Sequence, residues 1–340
     1  MEGLKKYGRY YELNIDDIFN LKIDLNVTNR NEYLLMNLFS TGGTINPLSS
    51  SLVYSNRSTQ SNVDFGNKIK LKDYKKIVSA TSNYITVINA DDSIDSYDYD
   101  ATMGKYKNRE YQLVATAETD AYSTITNVAF LSKDEVETDL AIGKCYPTLI
   151  CKGEKTTTYT LASNKISKIS NNINDVIEFT LSTTSKTINW KKNNYVNRKA
   201  VLTYDSSENL TGIIIYNVHN EILYNYSLSL TTNLLEIINN ITNERVKVTI
   251  DTNTTTITSG YGSNYVKSQT NVITYSNVHT IIRDTNTDYQ TYYVYDASNR
   301  ITNVINEAKE VEYSNYASYK LMEKSVPLTL NETTSKSILL

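Results

Sequence analysis

The stretch "YYVYDASNRITNVINEAKEVEYSNY", residues 292–316, decides the fold. A strand-like run ends in Tyr295-Asp296, a polar turn follows, and Ile301 and Val304 carry a second run. A second polar turn, Asn306-x-x-Lys309-Glu310, then leads to Tyr313. That second turn recurs upstream at Asn171-x-x-Asn174-Asp175, Asn194-x-x-Asn197-Arg198, Asn217-x-x-Asn220-Glu221 and Asn240-x-x-Asn243-Glu244, and later as Asp284-x-x-Thr287-Asp288. The starts at 171, 194, 217 and 240 are three equal steps of 23 apart, and 284 and 306 follow at a step of 22. A degraded copy, "GSNY", fills the gap near 262. One Asn-x-x-Asn pair means nothing in an Asn-rich chain, but four in register mark an internal repeat.

The first turn recurs less faithfully, with Ile166 and Ile169 after Asn164, Leu210 and Ile213 after Glu208, and Leu235 and Ile238 after Asn233. The unit is therefore a hairpin of two strands, each about 23 Å long at the rise of a β-strand. A lone hairpin is marginal in water, so successive hairpins are expected to pair into one antiparallel, curved sheet over residues 155–316. Turns are expected near 172–174, 195–197, 218–220, 241–243, 285–287 and 307–309. Asn174, Asn197, Asn220, Asn243, Thr287 and Lys309 would be their fourth, conformation-setting residues.

The rest of the chain reads around this array. Residues 1–45 form an N-terminal segment, 46–154 a β lead-in, and 317–340 a tail with no clear period. Asn89-x-x-Asp92 looks like one earlier turn. The capping-box pair Ser132 and Glu135, with Gly143 beyond, predicts one short helix near 133–142.

Composition agrees with an all-β chain. Of 340 residues, 29 are Tyr, against 11 Gly and 3 Pro. Tyr, Thr, Ile and Val suit half-buried pleated surfaces, and Asn supplies turns in place of Gly. A net charge of -3 gives no basic footprint, which argues against nucleic acid. No run approaches the ~20 apolar residues of a membrane helix, and the first residues lack the apolar segment of a secretory signal. A protein made in the cytoplasm and released within a particle is the expectation. Cys145 and Cys151 have neither zinc spacing nor a second pair, which leaves reduced thiols or a single 145–151 disulfide.

With Tyr295-Asp296, Asn299-Arg300-Ile301-Thr302, Tyr204-Asp205 and the later turn in view, the chain resembles the Rhs/YD-repeat family over roughly residues 45–316. Asn299 and Glu208 stand at that family's first glycine position, and Asn174, Asn220 and Asn243 at its second. Residues 51–70, with Phe65-Gly66 in their turn, resemble the segment preceding its repeats. The resemblance implies a shell-forming β-sheet array. Family members that enclose a toxin carry more repeats, a self-cleaving segment and a toxic domain, none of which has positions here to map onto.

Chemistry is sparse. His219 and His279 each sit in an Asn-Val-His triplet, and "GYGSNY" lacks the third glycine of a dinucleotide loop. No cofactor is expected. The run "DDSIDSYDYD" supplies Asp91, Asp92, Asp95, Asp98 and Asp100, with Asp98 and Asp100 on one strand face. Three readings stay open: a solvated face, a calcium site, or the carboxylate pair of a carbohydrate-active enzyme. The tyrosines read as cross-strand ladders or as a platform for a surface glycan or protein partner. The leading expectation is a non-enzymatic structural or adhesive protein, part of a phage virion or tail, with self or particle proteins as partners. The alternative is a remnant or split part of an Rhs-type toxin-delivery shell.

Overall fold

The computed structural model describes residues 10–15, 21–26, 31–41, 47–56, 58, 64–108, 113–120, 124–132, 135–182, 185–261, 266–276, 279–285, 287–295, 301–306, 309–314 and 322–327. Strands alternate a buried and an outward residue, as the period of two requires. Asp175–Leu181 buries Ile177 and Phe179, Leu234–Asn239 buries Leu235 and Ile237, and Glu244–Ile250 buries Val246 and Val248. Among the described residues there is no helix, and so none long and apolar enough to cross a membrane; this says nothing of strands.

Two sheets result. The first is antiparallel and takes Tyr10–Ile15, Leu21–Asn26, Asn31–Ser40, Ser49–Ser55 and Ile69–Leu71 in sequence order. The second runs from Lys75–Ala80 to Met322–Pro327, each strand paired antiparallel with the one before and the one after. Among the described residues Lys75–Ala80 is in register only with Tyr84–Asn89, and Met322–Pro327 only with Lys309–Ser314. The hairpin array is thus one open, curved sheet. It starts well before residue 155 and continues past residue 316.

The curvature serves two cores. The first strands of the large sheet curl until the Lys75 N–H donates to Cys145 O at 3.1 Å, next to Glu137–Ala141. The roll encloses Ile85, Val87, Tyr97, Tyr106, Val128 and Leu140, with Tyr97 and Phe130 rings 5.1 Å apart. Such aromatic pairs add about 0.5–1.5 kcal/mol beyond burial. The later strands bend around the first sheet. Ile177, Ile188, Ile213, Ile237 and Val248 form one core with Leu34, Met36, Leu52, Phe65 and Ile69. Ser49–Ser55 is buried on both faces, which is why its sequence does not alternate.

A seam fixes the two sheets together. The Asn67 N–H donates to Glu208 O at 3.0 Å, and its Nδ2 donates to Ser207 O at 2.5 Å. Asp64 accepts the Ile166 N–H at 2.9 Å, Tyr159 Oη donates to Asp73 at 3.0 Å, and Phe65 meets Phe179 edge-on at 5.7 Å. Burial pushes the Asp64 carboxyl up, an effect that the Ile166 N–H and a hydrogen bond from Tyr146 oppose.

The helix expected over 133–142 does not form in 135–142, the part of it that is described. Glu135 has φ 60°, which breaks helical geometry, and Ser132 Oγ accepts the Val136 N–H across a tight turn. Glu137–Ala141 is a strand paired with Ile125–Leu131. The capping-box pattern is shared by helix starts and by such turns, and cross-strand pairing decides between them. Cys145 and Cys151 are free, half-buried thiols, so the disulfide alternative fails.

Candidate functional site

The acidic run lies on the hairpin of Tyr84–Asn89 and Ile94–Asp100. Asp91, Asp92, Asp95 and Asp100 each have structural work. Asp91 Oδ1 accepts the Ser93 N–H at 3.1 Å and Ser93 Oγ at 2.7 Å. Asp95 Oδ2 accepts Asn89 Nδ2 at 2.8 Å. Asp92, at φ 62°, forms an ion pair with Lys70, a side chain with no solvent exposure. The cation beside Asp92 is therefore supplied by the first sheet.

Asp98 and Asp100 share the face opposite Asp95 and Tyr97, with Asp98 across from Lys107 and Tyr84. Asp100 Oδ2 meets Lys107 Nζ at 2.8 Å, while Oδ1 accepts the Thr102 and Met103 N–H groups at 2.9 and 3.3 Å. The Lys107 hydrogen bond above all holds the Asp100 carboxyl below the usual range. A glycosidase acid needs the opposite shift. Among the described residues no group of three or more His, Cys, Asp or Glu is placed to hold a metal ion. His219 lies exposed in the Asn217–Glu221 turn, its N–H donating to Asn217 Oδ1 at 2.9 Å. His279 begins the strand His279–Asp284. Alternate turns of an antiparallel ladder fall at opposite ends, so these two histidines belong to opposite rims of the sheet.

Three turns share one design, and the Asn240–Asn243 turn is a variant in which Asn239 Oδ1 accepts the Ile241 and Thr242 N–H groups at 3.0 and 3.4 Å. In Asn171–Asp175, Asn171 Oδ1 accepts the N–H groups of Ile173 and Asp175 at 3.2 and 2.9 Å. Asn217 Oδ1 does the same for His219 and Glu221, and Asp205 Oδ1 for Ser207 and Asn209. The fourth residue takes the left-handed conformation: Asn174 at φ 64°, Glu208 at 61°, Asn220 at 61° and Asn243 at 60°. A short polar side chain closes the loop as a backbone group would, so glycine is unnecessary. The Tyr204-Asp205 turn and the Asn171 and Asn217 turns, on opposite rims, thus share one geometry.

Asn197 is not in a turn. Asn193 and Asn194, at φ 50° and 70°, make a two-residue hairpin one step earlier. Asn197 lies within Tyr195–Tyr204 at a bulge, where Trp190 pairs with Arg198 and Lys191 with Val196. Thr287 is in its turn, but the positive φ belongs to Asp288, held by Arg283 at 2.6 Å. Lys309 opens the strand Lys309–Ser314, and 307–308 lie outside the described residues, as do 262–265 of the degraded copy.

Asn220→Gly is expected to change stability by no more than about 0.5 kcal/mol, because relief at positive φ offsets added chain entropy. Asn220→Val is expected to cost about 1–2 kcal/mol, since a β-branched residue strains there. Urea melts of the two variants check both, and a tolerated valine would contradict the turn geometry.

No family model matches the chain, and no curated protein matches it. Among solved structures it is similar to the Tc holotoxin pore of Photorhabdus luminescens, at 8% identity and TM-score 0.21, covering 96% of this chain and 24% of that one. A TcdB2–TccC3 crystal structure matches at 7% identity and TM-score 0.21, covering 86% and 23%. A porin-like protein from Bacteroides uniformis matches at 10% identity and TM-score 0.22, covering 76% and 97%. The chain spans about a quarter of the Tc chain's length. Likenesses at these TM-scores carry no argument about what the chain does.

Proposed function

We propose that the chain is a non-enzymatic structural subunit, a β-hairpin wall built into a larger extracellular particle such as a phage virion or tail. The observation that carries this is the uninterrupted antiparallel ladder from Lys75–Ala80 to Met322–Pro327, wrapped around a second sheet. Its polar groups go into turns and ion pairs, as in a scaffold, and the acidic run follows that rule. Purified particles from the source are expected to contain the chain in stoichiometric amount by mass spectrometry. Its absence there, or polysaccharide turnover lost on Asp98→Asn, would overturn the reading.

A second reading has one specific observation in its favour. The Gly66-Asn67 segment sits on the Tyr204-Asp205 turn, and both carry the Rhs/YD resemblance. On that reading the chain is a piece of a toxin-delivery shell. Neighbouring genes separate the two: capsid and tail genes against an immunity gene and an injection-system loader.

A further inference from the structure

In the repeat region, every large apolar side chain that the described residues expose lies at one rim of the large sheet. Tyr195, 78% exposed, and Val196 follow the Asn193-Asn194 turn; Val218 (54%) and Ile222 flank His219. Ile241 (53%) tips its own turn, and Tyr261 and Tyr289 adjoin the next two. The described turns of the opposite rim are polar. Its turns expose Asp205, Ser206 and Ser207, then Thr231, Thr232 and Asn233, then Asp251, Thr252 and Asn253. Alternate turns in a consecutive antiparallel ladder must fall at opposite ends, so the segregation is built into alternate loops of the sequence.

We infer that the apolar rim is an interface between two copies of this chain, packed rim against rim. The inference rests on the chain being an assembly subunit and names what that subunit binds. Two observations favour a second copy. The rim carries both signs of charge: Lys192 pairs with Asp175 at 3.6 Å and Arg283 with Asp288 at 2.6 Å, while the Glu221 carboxylate and the Lys199 ammonium each rest on an amide of one turn, Asn217 Nδ2 at 2.7 Å and Asn220 Oδ1 at 3.2 Å. An identical rim therefore meets no like-charge field, whereas an anionic lipid surface would need a cationic excess. The size also suits. Ten strand spacings separate the turns at residues 173 and 287, so the rim between them is a strip about 50 Å long and about 10–15 Å wide. Two such strips bury roughly 1,000–1,500 Å² in total, above the ~1,000 Å² that a specific interface needs.

Light scattering on the full chain at tens of micromolar is expected to give twice the 38.6 kDa chain mass. Tyr195→Lys/Val218→Lys/Ile241→Lys is expected to give the single-chain mass with an unchanged thermal melt, because these side chains are exposed. Thr232→Lys/Thr252→Lys, on the polar rim, is expected to remain a dimer. Should the triple variant melt early, Val218→Ser alone is expected to weaken dimerisation about tenfold, as one lost apolar contact at an interface centre does. A single-chain mass for the unmodified protein overturns the inference, and so does a dimer that survives the apolar-rim changes. Unmodified monomer that instead binds vesicles of anionic phospholipid overturns it and gives the rim to lipid. The particle measurement is independent of all these outcomes, so a failed rim and a failed scaffold reading are told apart.

Discussion

Gly66→Ala is expected to destabilise the protein by about 2–4 kcal/mol, summing a strained left-handed alanine and an overpacked contact. Gly66 has φ 98°, and a Cβ there would stand 2.6 Å from Glu208 O and 2.7 Å from Tyr204 Cε1. The Glu208 carbonyl cannot retreat without losing the Asn67 N–H, because that same oxygen accepts it at 3.0 Å. The internal control is Gly104→Ala. Gly104 is also left-handed, at φ 64°, yet a Cβ there meets nothing within 4 Å, so only the backbone term of about 1 kcal/mol applies. Paired thermal melts measure the difference. Equal losses for the two variants would show that the first sheet is not seated on the Tyr204–Asn209 turn.

This contact also marks the boundary of what the sequence makes legible. Local rules were readable: strand alternation at Ile177/Phe179 and Leu235/Ile237, and the 23-residue step, because period and turn chemistry reside in neighbouring residues. The failures came where a local pattern has two outcomes. Ser132 and Glu135 suit a helix cap or a tight turn, and only pairing with Ile125–Leu131 selects the turn. In "NNYVN" the adjacent asparagines outcompeted the spaced pair, because a two-residue turn matches strand twist better than a five-residue one. The two-sheet architecture was not readable, since Phe65 against Phe179 and Asn67 against Glu208 join segments more than 100 residues apart. The apolar rim did have a signal. Ile173, Val218 and Ile241 each put an apolar residue inside an Asn-x-x-Asn turn, where solvation favours polar ones.

Asp92→Asn is expected to cost about 3–5 kcal/mol at neutral pH, the effect of stranding a buried charge. The substitution is chosen because asparagine tolerates the φ of 62° at this turn, so the backbone term stays small. What changes is the partner of Lys70, whose side chain has no exposure and whose ammonium stands 5.2 Å from the Tyr74 ring centre. Burial already holds Lys70 below its usual value of 10.5, while Asp92 is the largest influence raising it. Without Asp92 the folded-state value falls further. The unfolded chain then binds the proton that the folded chain sheds, so stability of the variant rises with pH toward the lysine range. The deficit against the unmodified protein is accordingly expected to shrink between neutral and alkaline pH. Lys70→Met/Asp92→Asn removes both charges and is expected to recover most of the loss, because a buried pair contributes little beyond its apolar replacement. Denaturant melts of the three variants across pH decide the matter. A loss under about 1 kcal/mol that does not vary with pH would mean that Lys70 reaches solvent and that the two sheets are not joined by this pair.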